Sequence, residues 1–97
     1  MSEGWDLLAD EIECLRRLAR ERYAENADKG TSWMEEEPRW HIYKAIDQMS
    51  IASYNYRNGD YEEYEQNMAD ALNHMMMALN TLGNDYGGCH PVMKDGR

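Results

Sequence analysis

The sequence predicts an all-α protein, a three-helix up-and-down bundle whose second and third helices form a long antiparallel hairpin. Three stretches of the chain carry apolar residues at the three- and four-residue spacing of one helical face. Two breaks separate these stretches: residues 27–37, which contain Gly30 followed by Thr and Ser, and residues 58–60, which read Asn-Gly-Asp. The chain has 97 residues, which suits one domain. We therefore expect a helical domain over residues 1–83 and an irregular, Gly-rich tail over residues 84–97.

The first predicted helix runs from about residue 2 to residue 26. Ser2 suits the N-cap, because its hydroxyl can accept a hydrogen bond from a backbone N–H of the first turn. The apolar face consists of Trp5, Leu8, Ile12, Leu15, Ala19 and Tyr23. The opposite side carries Asp6, Asp10 and Glu13, which we interpret as a solvated face rather than a metal site.

The second predicted helix covers residues 38–58. Pro38 fits its first turn, and the three glutamates that precede it suit the positive end of the helix dipole. Its main apolar face consists of Ile42, Ala45, Ile46, Met49, Ser53 and Tyr56.

The clearest helix boundary in the chain follows. Gly59 can end the second helix in a left-handed conformation, and Asp60 with Glu63 forms a capping box for a third helix over residues 60–82. The main apolar face of that helix consists of Tyr61, Tyr64, Met68, Leu72, Met75, Leu79 and Leu82. A connection this short makes the two helices antiparallel neighbours.

Composition narrows the classes of function. The formal net charge of −9 disfavours direct binding to nucleic acid, which needs clustered Lys and Arg, and is compatible with Mg²⁺ or a basic partner protein. No apolar run approaches the roughly 18 residues of a membrane span. Two cysteines without a disulfide framework suit a reducing cytoplasm, that of a host cell if the protein is viral. A chain this small without a disulfide set favours homo-oligomerisation as the means of completing its core.

The hairpin carries a second set of large side chains away from its main apolar faces. On the second helix these are Trp40, Tyr43, Ile51 and Tyr54, with Lys44 and Asp47 among them. On the third helix they are Gln66, Asp70, Asn73 and Met77, with His74 on a flank. A mixed face of this kind indicates a partner surface or a ligand pocket; the alternative is a set of half-exposed aromatic residues.

Two short patterns carry candidate chemistry. Asp70 and His74 lie one helical turn apart with Asn73 between them, an arrangement that can ligate Mg²⁺ through oxygen or a transition metal through the imidazole. In residues 28–33, D-K-G-T-S-W, Ser32 can donate a hydrogen bond and Trp33 can stack on a base. The simpler interpretations are a chance surface pair and an ordinary loop whose Trp fills the end of the bundle.

These strings resemble those of small phage and bacterial proteins of the nucleotide-modification-associated, MazG-like type. Residues 28–33 are similar to the family's D-Y-G-x-S-W, residues 70–74 (D-A-L-N-H) to its D-L-x-N-Y, and Lys44 between two isoleucines loosely to its I-x-x-K. The match spans residues 23–82, about two thirds of the chain. Lys29 replaces the Tyr, and Gln66 stands where an acidic residue is expected. The combination of EExxE with ExxD that holds Mg²⁺ in MazG enzymes is absent as such, because the sequence contains no EExxE.

The resemblance implies an all-α oligomer that binds a nucleotide, or hydrolyses it as a Mg²⁺-dependent pyrophosphohydrolase. Lys44, Trp33, Trp40 and Ser32 would then contact the nucleotide, and Asp70, Asn73, Asp47 and His74 would hold the metal. On this hypothesis Asp70→Asn removes metal-dependent binding and leaves the fold intact. The alternative is a non-enzymatic acidic interaction protein, such as a viral inhibitor of a host nucleic-acid-binding or defence protein.

Overall fold

The computed structural model describes residues 3–86, except for the side chains at positions 3, 29 and 83–86. Over that range the chain is all-α, as predicted, and has no strand. The helices are α1 (Glu3–Glu25), α2 (Pro38–Arg57) and α3 (Tyr61–Tyr86), and two 3-10 turns, Ala27–Lys29 and Ser32–Glu35, lie between α1 and α2. The predicted bounds lie within one residue of these, except that α3 continues past Leu82 to Tyr86. The predicted N-cap at Ser2 and the tail beyond Tyr86 lie outside the described residues.

Helices α2 and α3 pack closely along their lengths as the predicted hairpin, whereas α1 packs mainly on α3. Along that contact Ala19 meets Asn73 and Arg22 meets Asp70, so residue numbers rise along α1 as they fall along α3. An up-and-down bundle requires the first and third helices to run in the same direction, so the predicted order is wrong for α1. The physical reason is the connection before α2, whose two 3-10 turns lead the chain back along the hairpin.

Small and polar side chains form the core. Among the described residues the buried apolar side chains are Ala19, Ala45, Ala52, Ala69 and Ala71, and the buried polar ones are His41, Asn67 and Asn73. On α2 the buried stripe is therefore His41, Ala45 and Ala52. The predicted main face is wrong apart from Ala45, because alanine lets two helix backbones approach closely while the larger Ile42, Ile46 and Met49 point outward and are exposed.

Amide side chains continue the α2–α3 contact toward the hairpin turn. Asn55 Nδ2 donates a hydrogen bond to Asn67 Oδ1 at 2.7 Å, and Asn67 Nδ2 donates to Gln48 Oε1 at 3.3 Å. Because a buried amide without a partner costs free energy, this chain of amides fixes the register of the two helices.

The hairpin turn is a Schellman motif, in which two backbone N–H groups beyond the helix reach back to its last carbonyls. Asp60 N–H donates to Asn55 O at 2.9 Å and Gly59 N–H donates to Tyr56 O at 3.1 Å. Gly59 has φ +78°, which confirms the predicted left-handed conformation.

We expect Gly59→Ala to lower the free energy of unfolding by about 1 kcal/mol, because a Cβ is strained at positive φ. The space around Gly59 is open, so the loss would come from backbone strain and not from a clash. Chemical denaturation measures it, with Gly59→Asn as the matched control, since Asn tolerates this conformation better than Ala. Equal stability of all three proteins would contradict the role of this glycine.

Candidate functional site: an aromatic and amide-lined cleft

A cleft of about 370 Å³ opens between the end of α1, the α1–α2 connection and the middle of the hairpin. This volume lies within the roughly 300–1,000 Å³ typical of small-molecule sites. The lining residues are Arg22, Tyr23, Asn26, Gly30, Ser32, Trp33, Glu36, Trp40, Gln48, Asp70, Asn73, His74 and Met77.

The cleft brings together six of the eight site residues predicted from the sequence. These six are Ser32, Trp33, Trp40, Asp70, Asn73 and His74. The other two lie outside its wall. Lys44 is exposed, with its Nζ 5.1 Å from the centroid of the Trp40 ring. Asp47 is also exposed on α2, and the structure does not bring it to the other predicted metal ligands.

His41 packs against the two tryptophans of the cleft wall, Trp33 and Trp40. This imidazole is fully buried and makes edge contacts with Trp33 and Trp40, with ring centroids 6.2 Å and 5.2 Å away. It also stacks on His74, with centroids 6.2 Å apart. His41 Nε2 lies 2.9 Å from the carbonyl oxygen of Trp33, and because a carbonyl only accepts, Nε2–H is the donor. His41 thereby joins the 3-10 turn to the hairpin.

The α1–α2 connection places Trp33 through two local features. Gly30 has φ +64° and ψ −141°, a combination that side-chain-bearing residues essentially never adopt. At the other side, the Trp33 indole Nε1–H donates to the Tyr23 hydroxyl oxygen at 3.1 Å and so fixes the turn to the end of α1. Gly30, Ser32 and Trp33 of the D-K-G-T-S-W string therefore form part of the cleft wall, with the glycine where the backbone requires one.

Asp70 is half of an ion pair and not a free carboxylate. Arg22 Nε and Nη2 donate to its two carboxylate oxygens at 3.0 Å and 2.9 Å, the bidentate geometry that Arg favours. Arg22 also meets Glu25 at 3.1 Å. The hydrogen bond with Asp70 raises the pKa of the Arg22 guanidinium above its ordinary value, against the opposing effect of burial.

The predicted metal set therefore has a different arrangement from the one expected. Asp70 faces α1 and is neutralised by Arg22, and the buried Asn73 donates its Nδ2 hydrogen to Ala19 O at 2.9 Å. Among the described residues, no three His, Cys, Asp or Glu side chains are grouped as a metal site. As they stand, these side chains do not fit Mg²⁺, which prefers several free oxygens in octahedral geometry.

The electrostatics of the cleft favour an uncharged ring over an anion. Among the described residues that line the cleft, Arg22 is the one Arg or Lys side chain, and it is opposed by Asp70 in the wall and by Glu25 beside it. Glu36 adds a further carboxylate. The indoles of Trp33 and Trp40 and the amides of Asn26, Gln48 and Asn73 also line the cleft. Side chains of these kinds can stack on a planar heterocycle and form hydrogen bonds with its edge.

Sequence reasoning did not single out Arg22, Asn26, Glu36 or Gln48 as cleft residues, or His41 as their support. One usable signal was present, because His41, Ala45, Gln48, Ala52 and Asn55 follow each other at four- and three-residue spacing. That stripe mixes alanine with polar residues, so a search for large apolar side chains passes over it.

Comparison with protein-family models, with curated proteins and with solved structures found no match to this chain. Within the described part of the chain, no helix is both long enough and apolar enough to cross a membrane.

Proposed function

We propose that this protein is a cytoplasmic nucleotide- or nucleoside-binding protein that holds the base of its ligand in the cleft. The observation that carries the proposal is the convergence of Trp33 and Trp40 with the amides of Asn26 and Gln48 on one cavity of about 370 Å³. An indole ring can stack on any of the nucleic-acid bases, and amide groups can donate hydrogen bonds to the edge of the base or accept them from it. The motif resemblance to MazG-like proteins, which suggested nucleotide chemistry independently of geometry, supports the same ligand class.

A phosphate group would lie at the rim of the cleft rather than inside it. The guanidinium of Arg22 is already engaged by two carboxylates. Lys44, beside Trp40, is an exposed cation with which a phosphate at the rim can pair. We therefore propose that the base supplies most of the affinity and that phosphate adds a smaller contribution through Lys44.

Mg²⁺-dependent hydrolysis has less support than binding. Asp70 and Asn73 serve the α1–α3 contact, so no step through a metal follows from their positions. We propose a binding protein, and hydrolysis by a pyrophosphohydrolase mechanism remains an outcome of the test below.

The test is thermal melting with matched bases, nucleosides, monophosphates and triphosphates, each with and without Mg²⁺. A ligand that binds the folded chain raises the melting temperature by mass action. We expect nucleosides to stabilise the protein without Mg²⁺ and phosphates to add to the shift. A shift that needs Mg²⁺, together with product formation, would favour the hydrolase. No shift with any ligand would overturn the proposal.

Variants on α2 locate the binding site. Trp40→Ala should weaken binding about 5- to 150-fold, since stacking on one aromatic ring is worth about 1–3 kcal/mol. Tyr43→Ala is the matched control, because Tyr43 is an exposed aromatic residue on the same helix that does not line the cleft. Lys44→Ala should weaken the binding of nucleotides, which carry a phosphate, and leave the binding of nucleosides unaffected. Equal effects of the Trp40 and Tyr43 variants would place the ligand elsewhere.

A second candidate is the acidic interaction protein, which the net charge of −9 favours. A basic partner, such as a host nucleic-acid-binding protein, would then be attracted by the charged surface, and its association would weaken steeply with salt. Binding to a cationic protein that persists in the Trp40→Ala variant and disappears at high salt would support this function, since the cleft would not be involved.

A further inference from the structure

A second concave surface lies on the hairpin and shares no residue with the cleft. This groove is lined by Ile42, Ile46, Met49 and Ser53 of α2 with Ala71 and Met75 of α3, and the few other residues that complete it are small. Within the described part of the chain, none of the residues that line this groove is charged, although 30% of the whole sequence is. The larger members are about half exposed, with Ile42 at 49%, Ile46 at 55% and Met75 at 51%.

The spacing of the groove residues is that of a helix–helix seam. On α2 they are Ile42, Ile46, Met49 and Ser53, separated by four, three and four residues. On α3 the neighbouring stripe, Met68, Leu72, Met75 and Leu79, has the same separations. A 4-3 repeat keeps one apolar stripe facing a partner helix over its whole length. Two such stripes side by side on an antiparallel hairpin are half of a four-helix bundle.

The extent of this face suits a stable dimer. The apolar stripe that continues the groove along α3 runs from Tyr61 to Leu82 and spans about 30 Å. Two helices side by side are about 20 Å wide, so the face is about 600 Å² in projection and larger when its side chains are followed. A standard interface buries about 800 Å² from each partner. Burial here would also supply the large apolar core that each chain lacks, since among the described residues its own buried apolar side chains are all alanine.

We propose that a second copy of this chain occupies the groove, hairpin against hairpin, so that α2 and α3 of both copies form a four-helix bundle. The charge distribution is compatible with this occupant and disfavours a basic one. Two chains of net charge −9 repel each other except where they meet through an uncharged surface, and a basic partner would need carboxylates that the groove lining does not offer. Helix α1 packs on a different face of α3, so the cleft stays open in the dimer, and the inference does not depend on the cleft's ligand.

The first test is the mass and the melting behaviour of the wild-type chain. Light scattering at micromolar concentration should give twice the 11.4 kDa of one chain or a multiple of that dimer. The melting temperature should rise with protein concentration, because dissociation accompanies unfolding. A wild-type monomer with a concentration-independent melting temperature would overturn the proposal, and if such a monomer bound another protein through the groove, the groove would belong to a foreign partner.

A pair of variants then locates the interface. Ile46→Glu puts a carboxylate into the seam of each copy and should weaken the dimer roughly 100-fold, because both charges would be buried without partners. Ile51→Glu is the control: Ile51 is similarly exposed on α2 and lies outside the groove. If the dimer is weakened equally in both variants, or in neither, the groove is not the interface. If Ile46→Glu does not fold, Ile46→Ala should show the smaller loss by the same measurement, with Ile51→Ala beside it.

Discussion

Asp70→Asn is expected to lower the free energy of unfolding by about 2 kcal/mol, because it removes the bidentate, part-buried partner of the Arg22 guanidinium and leaves it only the exposed Glu25. The two side chains are 18% and 26% exposed, so water compensates only partly. Chemical denaturation at neutral pH measures the loss. The helical pattern alone led to the opposite expectation, an intact fold, because it placed Asp70 on the outer face of α3, whereas the structure places it against α1.

Glu25→Gln is the matched control for this prediction. It removes the other carboxylate that contacts the same arginine, but Glu25 is exposed, so the loss should stay below about 1 kcal/mol. The pKa of Arg22 is raised in the folded protein, so the guanidinium is charged at neutral pH. A group of this kind contributes its full stabilisation at any pH below its pKa in the unfolded chain, and the contribution is lost as the pH rises through the pKa in the folded protein. The contribution of Arg22 is therefore constant across neutral pH. Equal losses for the two variants would show that the Asp70 pair is no stronger than a surface ion pair.

The helices and the hairpin could be predicted from the sequence because their signals are local. Pro38 begins α2 where the sequence predicts, and Gly59 ends it with the predicted positive φ. Each signal acts through the backbone geometry of its own position, so no knowledge of distant residues is needed.

The buried faces could not be predicted in the same way. Helix α2 carries apolar side chains on several sides, and size alone favours the stripe of Ile42, Ile46 and Met49. The structure buries the stripe of His41, Ala45 and Ala52, which allows a closer approach to α3. The larger residues are left for another surface, which is the basis of the dimer proposed above.

The candidate site was predictable to the extent that it is local. The string at residues 28–33 placed Ser32 and Trp33 in the wall of the cleft. Arg22 and Asp70 are 48 positions apart, and their pairing depends on how α1 lies on α3. The direction of α1 was itself mispredicted, so neither the ion pair nor the loss of Asp70 as a free ligand could be foreseen.

His41→Ala is expected to have the largest effect of any single change, a loss of about 3 kcal/mol in the free energy of unfolding. His41 is fully buried, and truncation leaves a cavity behind Trp33 and Trp40. It also removes the hydrogen bond to the carbonyl of Trp33, which joins the 3-10 turn to α2. Chemical denaturation followed by Trp fluorescence measures both consequences, since a loosened wall should shift the indole emission to longer wavelength.

His41→Gln separates the two contributions of His41. The Gln amide nitrogen can take the place of Nε2 and donate to the Trp33 carbonyl, but it cannot replace the ring contacts with Trp40 and His74. Stability should therefore lie between those of the wild type and His41→Ala, and nucleoside affinity should fall less than in His41→Ala. If the Ala variant keeps both wild-type stability and wild-type affinity, the turn holds its position without His41, and the aromatic wall is organised by the Trp33–Tyr23 hydrogen bond alone.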